Sequence, residues 1–147
     1  EKFCCQLVDE QQLNAGNQHP IALIVSGDNA DAQMDEKLLR QILGNLLSNS
    51  LKYSPVGTSV DFHLNNQNGE VIFQIKDRGI GIPQADKERI LETFYRATNV
   101  GNISGTGLGL AIVKRAVELH GGTLAINSQE GIGTTFTITL PLIYHPD

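Results

Sequence analysis

The chain lacks a cysteine framework. Its only cysteines, Cys4 and Cys5, are adjacent, and neighbouring cysteines rarely reach disulfide geometry. That excludes a disulfide scaffold or a Cys-rich metal centre and points to a reducing, cytoplasmic setting. No long apolar run and no signal-peptide pattern is present, so nothing reads as a membrane span or a leader. Basic charge is short as well: 11 Lys+Arg stand against 16 Asp+Glu, a net charge of −5. This balance argues against a general binder of nucleic acid or of anionic membrane, while leaving room for a small, locally basic phosphate pocket. The four histidines, His19, His63, His120 and His145, show no metal-ligand spacing. No Gly-x-Ser-x-Gly occurs, which argues against a serine hydrolase.

What is there begins with size. The 147 residues suit one domain spanning 1–147. At 40% hydrophobic residues the chain is not a disordered one. Position 1 is Glu rather than Met, which suggests a piece of a longer chain. Glycine is in excess: 15 residues, about 10% against an average near 7%, most of them in the second half.

The first ~14 residues carry no clear period. Ile21–Val25 is a short apolar run that predicts a buried strand. From Asp35 to Tyr53, apolar residues recur at helical spacing, with Asp35 as N-cap and Ser54-Pro55-Val56-Gly57 as the stop. Val60, Phe62 and Leu64 alternate, Asn65–Gly69 turns, and Val71, Phe73 and Ile75 alternate again, which predicts a hairpin. Pro83 opens a second helix to about Leu91. Residues 97–106 read as a loop. Leu108–His120 is a third helix, closed by Gly121-Gly122, with His120 in a capping position. Strands Leu124–Ser128 and Thr135–Leu140 flank Gly131-Ile132-Gly133. Three helices and about five strands predict an α/β fold, a mixed sheet covered on one face by helices as a two-layer sandwich.

Five stretches carry candidate chemistry. Asn45, Asn49 and Lys52 lie within roughly a 60° arc of the first predicted helix, at the rim of its apolar face. An amide oxygen suits Mg²⁺, which takes its other oxygens from water and phosphates, and a nearby Lys neutralises phosphate. Alone, the same stripe is what any solvated helix edge looks like. Asp77-Arg78-Gly79-Ile80-Gly81-Ile82-Pro83 follows a strand. Its glycines let main chain approach a flat ligand, and its Asp could accept from the amino group of adenine, leaving guanine's carbonyl unpaired. A plain Gly-rich β-to-α turn reads the same way. Gly105-Thr106-Gly107-Leu108-Gly109-Leu110 enters a helix and could bind an anion through free amides. It is neither a Walker A loop nor the dinucleotide fingerprint. Phe94-Tyr95-Arg96 precedes the 97–106 loop and fits an aromatic hinge for a lid, with Arg96 free for phosphate, or simply a core plug. Gly131-Ile132-Gly133-Thr134 is a hairpin turn whose Thr134 could support Asp77.

In this order, Asp35 to Pro141 resembles the catalytic ATP-binding domain of two-component sensor histidine kinases, in the GHKL (Bergerat-fold) superfamily. Gln41–Tyr53 resembles the N box, which implies Asn49 as the Mg²⁺ ligand with Asn45, Lys52 and Tyr53 beside phosphates and nucleoside. Asp77–Gly81 resembles the G1 box, with Asp77 on the adenine amino group and Gly79, Gly81 and Ile82 around the base. Phe94-Tyr95-Arg96 resembles the F box, although Leu91 stands where the family often has a first Phe, and the lid from Ala97 to Ser104 is short. Gly105, Thr106, Gly107, Leu108, Gly109 and Leu110 resemble the G2 box, and Gly131–Thr134 the third glycine motif. The resemblance implies ATP and Mg²⁺ as ligands, with phosphoryl transfer to a histidine on separate dimerisation helices and then a downstream response regulator. It implies no contact of this domain with nucleic acid or membrane. None of the four histidines stands in a phosphoacceptor context. The superfamily's hydrolases, gyrase B subunits and mismatch-repair ATPases, resemble one another in a Glu general base four residues before the Mg²⁺ Asn. Here that position is Asn45, which cannot take a proton from water. The alternatives are an anti-sigma-type protein-serine kinase, an ATP-gated dimerisation module with ATPase activity, and a non-catalytic nucleotide sensor.

Overall fold

A computed structural model describes residues 2–15, 20–27, 35–55, 57–67, 69–86, 89–90 and 109–141. The element order is α1 (Lys2–Ala15), β1 (Ile21–Gly27), α2 (Glu36–Lys52), β2 (Val60–Gln67), β3 (Glu70–Lys76), α3 (Gly109–Leu119), β4 (Thr123–Gln129) and β5 (Gly133–Pro141). The five strands form one mixed sheet in the order β1-β2-β3-β5-β4. Only the β1–β2 pair is parallel. A parallel pair needs a crossover, and α2 supplies it.

Alternation decides which face of the sheet is covered. Val60, Phe62, Leu64, Val71, Phe73 and Ile75 are buried, and β5 adds Phe136, Ile138 and Leu140 to the same core. The intervening threonines of β5 are only half-buried. The helices therefore lie on one face, and the two-layer α/β expectation holds. In α2, Leu39, Ile42, Leu43, Leu46, Leu47 and Leu51 face that core. The Asp35 carboxylate caps the helix by accepting from Lys37 N at 2.9 Å and Leu38 N at 3.3 Å. A cap is worth ~1 kcal/mol, and each buried Leu roughly 1.5–3 kcal/mol, so packing rather than capping holds α2.

Several expectations need correction. The Ile21–Val25 strand exists but is not buried. It is the sheet's edge, with Ala22, Ile24 and Val25 exposed. The unpatterned first residues form α1. Phe3, Cys4, Leu7 and Val8 make an apolar stripe only two turns long, while Leu13 is 84% exposed. The stripe packs on the core, an Arg40–Glu10 ion pair joins α1 to α2, and Gln12 accepts from Ile21 N at 3.0 Å. The helix expected from Pro83 to Leu91 is, over the described residues, a single 3₁₀ turn at Gln84–Asp86 followed by a turn at 89–90. Leu91 lies outside the described residues. So the three α-helices among the described residues are not the three that periodicity suggests. The first hairpin is tighter than Asn65–Gly69, because β2 runs on to Gln67.

The third helix starts at Gly109 and ends at Leu119, with Leu108 outside the described residues. It closes as expected: Gly122 N bonds Val117 O at 3.0 Å, and Gly121 takes φ +74°, a left-handed cap that suits glycine. His120 does more than cap. It is buried, and its Nε2 accepts from Asp35 N at 3.4 Å, so the end of α3 meets the start of α2. Burial pushes the His120 pKa down from 6.5, and the Asp35 charge partly opposes that.

Candidate functional site

Asp77 is the residue after β3, and its surroundings are set by main chain. Its N–H donates to Thr134 O at 2.9 Å, continuing the β3–β5 ladder by one bond. Its carboxylate Oδ1 accepts from Gly79 N at 2.9 Å and Thr134 N at 3.2 Å. Both bonds fall on Oδ1, which leaves Oδ2 as the oxygen for another donor. The residue is only 6% exposed. Burial pushes its pKa above the ordinary 3.8. The bonds from Gly79 and Thr134 pull the other way, as does the Ser50 hydroxyl. A buried acceptor of this kind selects for a donor and rejects a second acceptor, which would leave both groups unpaired.

The turn after Asp77 is pressed between two neighbours. A Cβ on Gly79 would stand 2.4 Å from Tyr53 O, and one on Gly81 would stand 2.2 Å from Gln129 O. Gly81 also takes φ +70°. The space that these glycines leave on the Cβ side is thus taken by the protein's own main chain. Ile80 N bonds Tyr53 O at 3.2 Å, and Gly131 N bonds Ile80 O at 2.8 Å. These bonds tie the end of α2 and the β4–β5 hairpin to one turn. Thr134 supports Asp77, but through its N–H. Its hydroxyl instead lies 2.8 Å from Ser128 Oγ. Ser128 Oγ also accepts from Ile82 N at 2.8 Å and donates to Gly133 O at 3.1 Å.

The polar stripe of α2 runs past this turn. Asn45 and Asn49 are half-buried, and Lys52 is exposed, with Nζ 5.6 Å from the centre of the half-buried Tyr53 ring. The Asn45 amide donates back to Gln41 O at 2.6 Å on its own helix. Ile82 and Ile90 form a small apolar cluster, with Leu110 and Ile126 packed on it. The structure therefore brings Asp77, Gly79, Gly81, Ile82, Thr134 and the end of α2 together, and Leu110 with them. Gly109 opens α3, whose first amides have no partner within the helix. Phe94, Arg96, Gly105, Thr106, Gly107 and Leu108 lie outside the described residues.

Two residues were missed by the sequence reading. Ser128 had no signal beyond its place at a strand end. Ser50 had one: it occupies a position of the apolar stripe, three residues after Leu47 and four after Leu46, where α2 otherwise carries leucine. As for metal, among the described residues no group of three or more His, Cys, Asp or Glu could hold an ion. The metal donors present are neutral Asn amides, with the Lys52 ammonium available to phosphate rather than to the ion. They fit a Mg²⁺ that brings phosphate oxygens and waters of its own, not one caged by protein.

The chain matches the family described as "Histidine kinase-, DNA gyrase B-, and HSP90-like ATPase" over residues 34–143. It is similar to the sensor histidine kinase WalK of Bacillus subtilis, 45% identical over 113 residues, covering 74% of this chain and 18% of WalK. Among solved structures it is similar to the mycobacterial sensor histidine kinase MprB. There the TM-score is 0.82 at 28% identity, covering 98% of this chain and 96% of that one. It is also similar to full-length ShkA in complex with AMPPNP, with TM-score 0.79 at 28% identity, covering 99% of this chain and 30% of ShkA. The chain spans less than a fifth of the length of WalK.

Proposed function

This chain belongs to the histidine kinase-, DNA gyrase B- and HSP90-like ATPase family, and we propose that it binds Mg·ATP and passes the γ-phosphoryl group to a histidine on separate dimerisation helices of a longer sensor kinase. A response regulator would take the group onward. The observation that carries the reading is the Asp77 carboxylate: buried, held through Oδ1 by two main-chain donors, and with acceptor capacity left for a further donor. The exocyclic amino group of adenine is such a donor. ShkA, a protein of similar fold, is in complex with the nucleotide analogue AMPPNP, which supports a nucleotide as the ligand.

The rest of the site follows from position. Ile82 and Leu110 give the base an apolar bed beside Gly79, Gly81 and Thr134. Tyr53 and Lys52 stand at the end of α2, where Lys52 would neutralise phosphate charge. The opening amides of α3 at Gly109 and Leu110 would hold phosphate oxygens. Asn49 would hold Mg²⁺ through its amide oxygen, and the ion would supply neutralisation of phosphate charge. The G2-box residues Gly105, Thr106, Gly107 and Leu108 would extend the phosphate cradle, with Phe94 and Arg96 at the lid's hinge. Little covalent work falls to this domain; it must place the γ-phosphoryl group and exclude water. Asn45 cannot serve as a general base, and its amide is already committed to Gln41 O. This favours transfer to a protein nucleophile over hydrolysis.

The test is to add labelled ATP, Mg²⁺ and the dimerisation helices of a sensor histidine kinase to the chain. The expected result is acid-labile phosphate on the histidine of those helices, lost with Asn49→Ala. Acid-stable phosphate on serine, or steady release of ADP without transfer, would overturn it.

A further inference from the structure

The register of the sheet sets Asp77, Thr134 and Ser128 in one row. Thr134 pairs with Ser128 across β4 and β5, and the Asp77 N–H bond to Thr134 O carries the β3–β5 ladder on to put Asp77 at its other side. All three are buried, in step with Ile75, Phe136 and Ile126 of the core-facing side. Opposed side chains on one face of a sheet are neighbours, with Cβ atoms ~4.5–5.5 Å apart, so the Thr134 side chain stands between the other two. A proton count gives the row a direction. Ser128 Oγ lies 2.8 Å from Ile82 N, 3.1 Å from Gly133 O and 2.8 Å from Thr134 Oγ1. An N–H only donates and a carbonyl oxygen only accepts, while a serine hydroxyl has one proton and two lone pairs. The Ser128 proton therefore goes to Gly133 O, one lone pair takes the Ile82 N–H, and the other takes the proton of Thr134. The Thr134 hydroxyl is left with lone pairs alone and has nothing to give Asp77. A hydroxyl beside a buried carboxylate otherwise donates to it, because such a charge-assisted bond is about twice as strong as a neutral one.

We propose that Ser128 is a specificity-determining positioning residue: by taking the Thr134 hydroxyl proton it keeps that hydroxyl off the Asp77 carboxylate, whose remaining lone pairs stay open to the amino group of the base. The proposal rests on the adenine role of Asp77 given above and deepens it. Without the Ser128 hydroxyl, Thr134 turns about χ1 and donates to Asp77. The base then competes with a neighbouring hydroxyl for the same acceptor.

Ser128→Ala and the double variant Ser128→Ala with Thr134→Val separate this role from support of the fold. Both leave Ile82 N and Gly133 O without the Ser128 hydroxyl and so carry the same structural loss. Only the first carries a freed Thr134 hydroxyl. Each is titrated by calorimetry with ATP and with inosine triphosphate, whose base has a carbonyl oxygen in place of the 6-amino group, and thermal melting is recorded alongside. The expected result is ATP bound about tenfold more weakly by Ser128→Ala than by the wild type, with the preference over inosine triphosphate reduced to match. The double variant should recover most of both, although its melting temperature stays as low. An unchanged ATP affinity in Ser128→Ala, or a double variant that binds ATP no better than Ser128→Ala, would overturn the proposal. If Ser128→Ala does not fold, Ser128→Cys, whose thiol fills the space but is a weak donor and acceptor, is measured with and without Thr134→Val against the same two outcomes. A wild type that binds both nucleotides equally fails the adenine reading itself. A wild type that prefers ATP, with that preference intact in Ser128→Ala, fails the Ser128 proposal alone.

Discussion

The two ends of the site are built on opposite plans. Around Asp77 the protein itself supplies the partners: main-chain donors from Gly79 and Thr134, and a Ser128 hydroxyl that ties Ile82 to Thr134. Along the rim of α2, Asn49 and Lys52 stand half-buried and exposed, and their partners would come with the ligand. The base end is preorganised and buried; the phosphate end is open, and would be completed on binding. A dry end makes each hydrogen bond worth more and each mismatch costlier. A wet end is screened and tolerant.

That contrast ranks the expected effects. Asp77→Asn replaces the buried acceptor with a group that presents its own donors. ATP affinity is expected to fall about 100-fold, read by calorimetry; a loss under threefold would erase the contrast. Acidification tests the same carboxylate. Its pKa is raised by burial, so ATP affinity should decline on acidification, starting at a pH above that of an ordinary carboxylate, and Asp77→Asn should lack this limb. The fold responds with the opposite sign: a carboxyl with a raised folded-state pKa is destabilising when ionised, so protonating Asp77 favours folding while it disfavours ATP.

Asn49→Ala comes next. Adding Mg²⁺ to the wild type should tighten ATP binding, and the variant should lose about tenfold of that gain, with no change in chelator. Lys52→Met is expected to cost about threefold at low salt and less at high salt, as for an exposed charge. A salt-independent loss would mean that the phosphate end is drier than described. His120→Gln should leave ATP binding alone. Because burial lowers the His120 pKa, its contribution to stability is present above pH 6.5 and is lost as pH falls through the lowered folded value. The wild-type melting temperature should drop by ~2–4 °C through that window, and the variant's curve should be flatter.

How much was legible in the sequence follows the same division. α2 was, because its leucines repeat over many turns and Asp35 marks its start. The hairpins were, because alternation matches a sheet with one wet face. Asp77 and Thr134 could be named, but the reason they meet, a ladder bond from Asp77 N to Thr134 O and a return bond from Thr134 N to Oδ1, depends on strands β3 and β5 being neighbours. Strand order is not written in local pattern. α1 escaped because its apolar stripe covers only two turns. The helix expected after Pro83 reads as a 3₁₀ turn because Asp86 is buried there and Ile82 and Ile90 pack together across the turn. The glycines of the 77–83 turn were legible as close-approach positions, but what approaches them is Tyr53 and Gln129.

The most direct measurement is a calorimetric comparison of ATP with inosine triphosphate, which differs in carrying a carbonyl oxygen where adenine has its amino group. If a buried carboxylate reads that position, ATP binds and inosine triphosphate binds about 100-fold more weakly. Equal affinity for the two would contradict the account.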